Sequence, residues 1–236
     1  MKRKIVTHTI RSPKIPEPLR LAVAADLHNG TWEDVLAELA GCDAILVPGD
    51  LVNRHRASYH HAARFLREAP DIAPVFYSVG NHELKCAFKA EWDRLVAESR
   101  VTLLDDRSVT FRGIRLGGLS SQWNRRANDS FLDEFEREPG FRLLMCHHPE
   151  MYRDDVAGRD IDFTVCGHAH GGQVQIFGRG LYAPGQGLFP KLTHGVHDGG
   201  KMIISRGMTN GAMAPRINNP LELIILTLEP ASGNAV

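Results

Sequence analysis

A chain of 236 residues and 26.2 kDa is long enough for a domain with a sizeable core, and its 43% hydrophobic and 24% charged residues are typical of a globular protein. Its 28 Lys and Arg residues balance 28 Asp and Glu residues, which argues against a surface built to bind nucleic acid. No apolar run approaches the roughly 18 residues of a membrane span. Because no apolar segment follows the basic start and the four cysteines are widely spaced, we expect a cytoplasmic chain without a disulfide framework.

Short apolar runs alternate with helical patterns in the first half of the chain. They predict buried strands at residues 21–25, 44–47 and 75–79. Apolar residues at helical spacing predict amphipathic helices over residues 32–39, 59–66 and 88–96. Strands that alternate with helices of this length favour βαβ units with parallel pairing.

The second half of the chain is richer in strands and has fewer helical patterns. Strands are predicted at residues 109–111, 114–119, 143–146, 161–166, 174–177, 202–205 and 221–228. One helix is predicted over residues 131–135, and the Gly- and Pro-rich residues 178–200 are predicted to form a long loop. No repeat or polar linker divides the chain. We therefore expect one α/β domain over residues 1–236, with its core at about 20–228, short extensions at both ends, and two sheets packed face to face with helices outside.

Polar motifs directly follow five of the predicted strands. In chain order they are Asp26-Leu27-His28, Gly49-Asp50, Gly80-Asn81-His82-Glu83, Cys146-His147-His148-Pro149 and Gly167-His168-Ala169-His170-Gly171-Gly172. Ligand sites of open α/β sheets lie at the carboxyl ends of the strands. We therefore expect these motifs to converge on one crevice.

These motifs contain the residue types of a transition-metal site. The i, i+2 spacing of Asp26 with His28, and of His168 with His170, lets each pair present two ligands on one side of an extended chain. Two carboxylates, one amide and several imidazoles suit Mn, Fe or Zn better than Ca or Mg, whose sites use oxygen ligands only. The sequence therefore predicts a centre with mixed oxygen and nitrogen ligands.

The five motifs, in this order, resemble those of the calcineurin-like metallophosphoesterases, and the resemblance runs from about residue 21 to residue 228. It implies an α/β fold, a four-layer α/β/β/α sandwich of two mixed β-sheets, and a centre of two divalent metal ions. By this resemblance one ion is held by Asp26, His28 and His170, and the second by Asn81, His147 and His168. Asp50 would bridge both ions, and His82 would contact the phosphate without binding metal.

A narrower resemblance concerns one bacterial branch of this family. It rests on residues 167–174 and on the further motifs Gly180-Leu181-Tyr182, Ser205-Arg206-Gly207, Pro215-Arg216 and Pro220-Leu221-Glu222. Some members of that branch are membrane-associated and hydrolyse UDP-2,3-diacylglucosamine or phospholipid-like substrates. The start of this sequence departs from the branch, because we see neither its membrane segment nor its export signal there. The resemblance implies a small phosphorylated or phospholipid-like substrate and allows peripheral contact with a membrane.

The resemblance also implies a mechanism. Two divalent ions lower the pKa of a shared water, the resulting hydroxide attacks phosphorus in line, and His82 as an imidazolium assists the departing oxygen. Turnover would then depend most on Asp50 and His82, and the bond cleaved would be a phosphomonoester, a phosphodiester or a pyrophosphate. A non-catalytic scaffold that retains the fold is an alternative function. A nuclease relative is a further alternative, disfavoured by the neutral charge.

Several residues retain two interpretations at this level. The resemblance to the family motif favours His147 over His148 as a ligand, and because neighbours on a strand point to opposite sides, His148 is expected to pack or to line the rim of the site. Arg206 and Arg216 are candidates to bind the phosphate or a substrate headgroup, or else to form structural ion pairs. Glu83 either tunes the neighbouring histidine or caps a helix.

For residues outside the motifs, the sequence gives weaker evidence of a functional role. His55 lies in a loop that would border the site, whereas His194 and His197 lie in the Gly-rich segment and have a role at the rim of the site or none. The apolar side chains of residues 176–190 either pack as in an ordinary loop or form a lid that contacts an amphipathic substrate or a membrane surface. The sequence does not indicate an oligomeric state.

Overall fold

The computed structural model describes residues 3–121, 126–211 and 215–231. Two six-stranded sheets of mixed strand direction face each other, and helices cover their outer faces. The expected four-layer α/β/β/α sandwich is therefore confirmed.

The first sheet contains strands from both ends of the described chain. In chain order these are β1 (Lys4–Ser12), β2 (Leu19–Val23), β3 (Ala44–Pro48), β4 (Val75–Ser78), β5 (Thr102–Leu103) and β16 (Glu222–Pro230). Their spatial order is β1-β16-β2-β3-β4-β5. Strands β2 to β5 are parallel, so the carboxyl ends of β2, β3 and β4 meet at one edge of the sheet.

The second sheet is formed by the middle of the chain. Its strands are β6 (Arg107–Phe111), β7 (Ile114–Leu119), β8 (Arg142–Cys146), β9 (Phe163–Cys166), β14 (Gly195–His197) and β15 (Met202–Ile204), in the spatial order β14-β15-β9-β8-β7-β6. Strands β7, β8, β9 and β15 are parallel. Two small hairpins lie between β9 and β14: β10 (Gln175–Ile176) with β11 (Arg179–Gly180), and β12 (Tyr182–Ala183) with β13 (Gly187–Leu188).

The helices are short and amphipathic. They are α1 (Leu36–Ala40), α2 (His60–Glu68), α3 (Asn81–Lys85), α4 (Lys89–Glu98), α5 (Asp129–Phe135) and α6 (Pro149–Met151). Helix α5 has an N-cap at Asn128, whose side-chain oxygen accepts a hydrogen bond from the N–H of Phe131. Among the described residues, no helix combines the length and the apolar character needed to cross a bilayer.

Strand alternation explains how each sheet contributes to two apolar layers. In β3, Leu46 faces the opposite sheet, whereas Ile45 and Val47 face the helices. In β8, Leu143 packs between the sheets and Leu144 packs against α5 and α6. Because both faces of these strands are covered, their sequences are continuous apolar runs rather than alternating ones.

The structure differs from the sequence predictions at the chain start and in the Gly-rich segment. The segment predicted as an N-terminal extension contains β1, an edge strand whose nine residues pair with β16. Residues 178–200, predicted as a loop, contain short strands, and β14 joins the second sheet. The strand predicted at residues 174–177 is reduced to β10, which lies in a small hairpin. Edge strands and hairpins are half exposed, so they lack the apolar runs that identify buried strands.

Candidate metal centre

The predicted ligands meet at the carboxyl ends of strands from both sheets. Asp26 and His28 follow β2, Asp50 follows β3, Asn81 and His82 follow β4, His147 follows β8, and His168 and His170 follow β9. All of these side chains except Asn81 belong to buried residues. The five motifs therefore converge on one crevice, as the position of each motif after a strand predicted.

The backbone at this crevice is strained. Five of the candidate ligands have left-handed φ angles: Asp26 at 54°, His28 at 47°, Asp50 at 58°, His168 at 68° and His170 at 49°. Asp and His tolerate this region better than most residues with a side chain, but each such residue still costs on the order of 1–3 kcal/mol. Strain of this kind clusters at functional sites, where the surrounding structure holds it in place.

Asp26, His28 and His170 form the first ligand group. His28 Nε2 lies 3.1 Å from His170 Nε2 and 3.8 Å from Asp26 Oδ1. The backbone N–H of His168 donates to both carboxylate oxygens of Asp26, at 3.1 Å. One ligand atom from each of the three residues lies within 4.8 Å of the others, so together they could hold a single ion.

Asn81, His147 and His168 are the residues expected to hold the second ion, and the structure brings them together. Asn81 Oδ1 lies 3.1 Å from His147 Nε2, and the ring of His168 lies 5.1 Å from that of His147. His147 Nδ1 lies 2.8 Å from the carbonyl oxygen of Pro48, to which it donates its hydrogen. That hydrogen bond fixes the ring and directs Nε2 toward the ligand position.

Asp50 lies between the two ligand groups. Its Oδ2 is 3.2 Å from His147 Nε2 and 3.7 Å from His28 Nε2. Its Oδ1 accepts a hydrogen bond of 2.8 Å from the backbone N–H of His82. The carboxylate thus faces one histidine from each group, the position expected of a bridging ligand.

Burial and mutual charge shift the pKa values in the crevice. Burial raises the pKa of Asp26 to about 7 and lowers the pKa of His28 to about 3. Burial alone would lower the pKa of His147, but the adjacent Asp50 carboxylate raises it to about 10. Burial alone would likewise raise the pKa of Asp50, but His147 holds it well below its usual range.

The residues present fit a divalent transition metal. They supply oxygen and nitrogen ligands, and several sets of three place their ligand atoms within 4.8 Å of one another. In the described part of the chain, His168 Nε2 is a buried nitrogen without a hydrogen-bond partner. Buried polar atoms are normally satisfied, so an unpartnered nitrogen in this crevice is available as a ligand atom.

His82 lies beside Asp50, with its Nε2 3.9 Å from Asp50 Oδ2. The backbone N–H of Arg54 donates to His82 Nδ1 at 3.1 Å. A ring that accepts at Nδ1 is neutral and carries its hydrogen on Nε2, and burial also lowers its pKa. The contact with Arg54 favours a neutral ring with its hydrogen on Nε2, whereas the role of His82 as an imidazolium during turnover stays a prediction.

Glu83 caps the strand-end loops instead of contacting the His82 ring. Its carboxylate accepts hydrogen bonds from the backbone N–H groups of Gly80 (2.8 Å), Asp50 (3.0 Å) and Val52 (3.1 Å). Of the two interpretations of Glu83, the structure supports the capping one. The same carboxylate links the loops after β3 and β4.

The two arginines have different environments. Arg216 is buried, and one of its guanidinium nitrogens lies 3.1 Å from His170 Nδ1 and donates to the carbonyl of Thr209 at 2.8 Å. Arg206 forms an ion pair of 2.6 Å with the buried carboxylate of Glu222. Arg206 thus has the contacts of a structural ion pair, whereas Arg216 lies against the first ligand group.

The sequence did not indicate two residues of the crevice. His148 was expected to point away from His147, but its ring lies 4.2 Å from the ring of His168 and 4.9 Å from that of His147. Strand β8 ends at Cys146, so strand alternation no longer governs His148. Glu150 was not predicted at all, and its Oε1 lies 3.7 Å from His168 Nε2.

The remaining candidates take part in other contacts. The exposed His55 has its ring 5.7 Å from that of His82, at the border of the site. His194 Nδ1 lies 3.1 Å from Gln175 Nε2, and His197 Nε2 lies 3.0 Å from the His194 carbonyl oxygen. The latter two histidines therefore stabilise the Gly-rich segment itself.

Comparisons with known proteins agree with this geometry. A protein named uncharacterized metallophosphoesterase from Aquifex aeolicus (strain VF5) is 23% identical, over 98% of this chain and 93% of that protein. A Helicobacter pylori (strain J99) protein of the same name is 25% identical over 96% of this chain, which spans only 64% of that relative. YpbG of Bacillus subtilis (strain 168) is 24% identical over 94% of this chain and 86% of that protein.

A family model described as calcineurin-like phosphoesterase matches residues 19–172. The match covers well over half of the chain and includes all five strand-end motifs. The family and the buried His and Asp clusters together indicate a metal-dependent phosphoesterase. The chain belongs to the calcineurin-like phosphoesterase family.

Proposed function

We propose that the protein is a phosphohydrolase whose centre holds two divalent ions, Mn, Fe or Zn, and cleaves a phosphomonoester, phosphodiester or pyrophosphate bond. The observation that supports this proposal most strongly is the position of Asp50. Its Oδ2 lies within 3.7 Å of a histidine nitrogen from each ligand group. A buried carboxylate between two ligand sets is suited to a site with two metals.

Each candidate ligand group would hold one of the two ions. Asp26, His28 and His170 would hold one ion and Asn81, His147 and His168 the other, with Asp50 shared. Bound there, the ions supply Lewis-acid activation of water and neutralise charge on the phosphoryl oxygens. The side chains of the crevice perform the rest of the chemistry.

His82 would orient the substrate and stabilise developing charge. Its Nε2–H lies next to Asp50, where the phosphoryl group would sit, and the N–H of Arg54 fixes the ring from the other side. A neutral N–H donor held in a buried crevice stabilises charge without transferring its proton. Arg216 adds positive charge behind His170.

The substrate class we propose is a small phosphorylated or phospholipid-like molecule rather than nucleic acid. The formal net charge of zero lacks the basic excess of proteins that bind a polyanionic backbone. Four histidines and an asparagine beside two carboxylates would leave a centre with excess positive charge once two divalent ions are bound. Such a centre attracts a single phosphate group whatever the overall charge of the chain.

Metal analysis followed by two assays tests the proposal. We expect two divalent ions per chain and hydrolysis of p-nitrophenyl phosphate, of its bis-ester, or of both, with Mn²⁺ added. The ratio of the two rates distinguishes monoester from diester preference. A protein that binds two ions but hydrolyses neither compound, nor any member of a panel of phosphorylated metabolites and lipids, would contradict the proposal and favour a scaffold.

A further inference from the structure

The two small hairpins carry an apolar surface that faces solvent. Its five members, which we call the hairpin surface, are Ile176, Phe177, Tyr182, Leu188 and Phe189. Phe177 is fully exposed and Phe189 is 73% exposed. Ile176, Phe177 and Phe189 line one common pocket, and contiguous exposed apolar patches mark sites of interaction with proteins or membranes.

The two phenylalanines are also held in an unfavourable backbone conformation. Phe177 has φ of 49° and Phe189 has φ of 52°, both in the left-handed region that bulky residues avoid. Phe177 and Gly178 (φ 76°) form the two-residue turn between β10 and β11, where Asn-Gly is the favoured sequence. Folding alone therefore disfavours Phe177 twice, through its exposure and through its backbone.

The charge of the segment indicates what covers this surface. Residues 163–197 contain no Asp or Glu, although at the average of 28 acidic residues in 236 about four would be expected. The same segment contains Arg179 and Lys191, which line a groove of about 620 Å³ together with Phe189, His194 and His197. Apolar tips beside basic side chains are complementary to a bilayer that contains anionic lipid.

A second copy of the chain is a poorer occupant. A dimer across the hairpin surface would bring Arg179 and Lys191 of both copies together, and residues 163–197 contain no acidic side chain to neutralise them. The next residue, Asp198, lines a pocket with Lys191, and its carboxylate accepts a hydrogen bond from the Tyr152 hydroxyl. The tips also project into open space, because a Cβ built on Gly178 or Gly187 meets no atom within 4 Å. Projecting tips suit insertion between lipid headgroups.

The hairpin surface is attached directly to the metal centre. The N–H of Leu181 donates to the carbonyl of Gly172, and Gln175 Nε2 donates to the carbonyl of Gly171 at 2.9 Å. Both acceptors belong to the turn that follows His170. Docking at the tips would therefore hold the crevice next to the bilayer surface.

We propose that the hairpin surface docks the protein on lipid bilayers that contain anionic lipid, with Phe177 and Phe189 inserted among the headgroups and Arg179 and Lys191 against them. This proposal does not depend on hydrolysis at the metal centre. It concerns a surface that the catalytic residues do not form.

Vesicle flotation of the full chain tests this proposal. We expect the protein to float with vesicles of phosphatidylcholine mixed with phosphatidylglycerol, and weakly or not at all with phosphatidylcholine alone. The double variant Phe177→Asn with Phe189→Asn should have a partition coefficient onto vesicles that is lower by about tenfold or more, since burial of one phenylalanine contributes at least that factor. Arg179→Gln with Lys191→Gln should remove the preference for phosphatidylglycerol.

Two controls keep the test decisive. Asparagine is well tolerated in the left-handed region, so the double variant should melt at or above the temperature of the wild type, which separates lost docking from lost folding. Leu103→Asn changes an exposed leucine on β5 and should float like the wild type. Measuring flotation with and without added Mn²⁺ separates docking from the chemistry of the centre.

Three results would overturn the proposal. The wild type could remain unbound with both vesicle compositions. The double variant could float as well as the wild type. Sedimentation could show that the wild type is a dimer and the double variant a monomer, while neither protein binds vesicles. That result would assign the hairpin surface to a second copy of the chain.

Discussion

The metal centre and the hairpin surface both depart from the usual distribution of side chains, in which charged groups face water and large apolar groups are buried. The centre buries two carboxylates and several imidazoles in the interior, whereas the hairpins hold large apolar rings in water. Both regions also contain left-handed residues with side chains. Each departure costs folding free energy, which contacts within its own region offset only in part.

The two regions differ in the kind of partner that would offset this cost in folding free energy. In the centre the unfavourable terms are the burial of carboxylates such as Asp26 and the unpartnered Nε2 of His168, both of which bound divalent cations would offset. On the hairpins the unfavourable term is exposed apolar area, which a non-polar phase removes. Substitutions in the centre should therefore change catalysis and metal binding, and substitutions on the hairpins should change docking and stability.

Asp50→Asn should have the largest effect. Loss of the shared carboxylate should lower kcat by about 10⁴-fold, the upper end of what one positioned group contributes. Steady-state assays with metal content measured on the same sample provide the test, and Asp71→Asn at the exposed surface serves as the control. An Asp50→Asn protein of nearly full activity with both ions bound would contradict the assignment.

His82→Ala should have the next largest effect on turnover. Removal of one preorganised donor should lower kcat by about 10²- to 10³-fold while the metal content stays unchanged. His55→Ala, which removes an exposed ring 5.7 Å from that of His82, should remain close to the wild type. Equal losses in both variants would contradict the role of His82.

Metal binding should stabilise the fold. At a free ion concentration about 100 times Kd the gain is about 2.7 kcal/mol, which corresponds to a rise in Tm of roughly 5–10 °C for a chain of this size. The pKa of Asp26 is raised to about 7, so below that pH a proton competes with the ion and the rise in Tm should shrink from pH 8 to pH 6. Thermal melts with Mn²⁺ and with EDTA at both pH values measure this, and identical melting temperatures in all four samples would contradict it.

Phe177→Asn should have the smallest effect of these changes. Unlike the substitutions in the metal centre, it should improve a property of the protein, its stability. The substitution relieves a left-handed phenylalanine and should raise the free energy of unfolding by about 1 kcal/mol, or Tm by roughly 2–4 °C. Ile176→Asn, one residue earlier and in the strand β10, provides the matched control and should not stabilise. A lower Tm for Phe177→Asn would show that the ring contributes to folding, and the comparison of the two regions would then fail.

The convergence of the candidate ligands on one crevice was predictable because they are local in sequence and follow buried strands. Each motif directly follows an apolar run, and parallel strands bring their carboxyl ends together whatever the loops between them do. His148 and Glu150 were not predictable, because the chain leaves the strand geometry after Cys146 and the following turn decides where their side chains point. The left-handed ligands have no sequence signature beyond the tolerance of Asp and His for that conformation.

The fold was predictable where strands are covered on both faces and less so at its edges. Strand β1, near the start of the chain, pairs with β16, near its end. It contains only three apolar residues, Ile5, Val6 and Ile10, so no apolar run identifies this half-exposed edge strand. The apolar content of residues 176–190 was visible in the sequence, but the exposure of its rings depends on two tight hairpins whose turn residues are atypical.

Three backbone N–H groups donate hydrogen bonds to the Glu83 carboxylate, and these bonds restrict the relative movement of the loops after β3 and β4. They fasten Asp50 and the first turn of α3 to each other, so a displacement of either loop carries the other with it. The separation between the Asp50 carboxylate and the His82 ring is therefore preserved while the loops move as one body. Because His147 is fixed by Pro48 whereas His168 Nε2 makes no hydrogen bond among the described residues, ions of different radius would be accommodated mainly by movement of the His168 side chain.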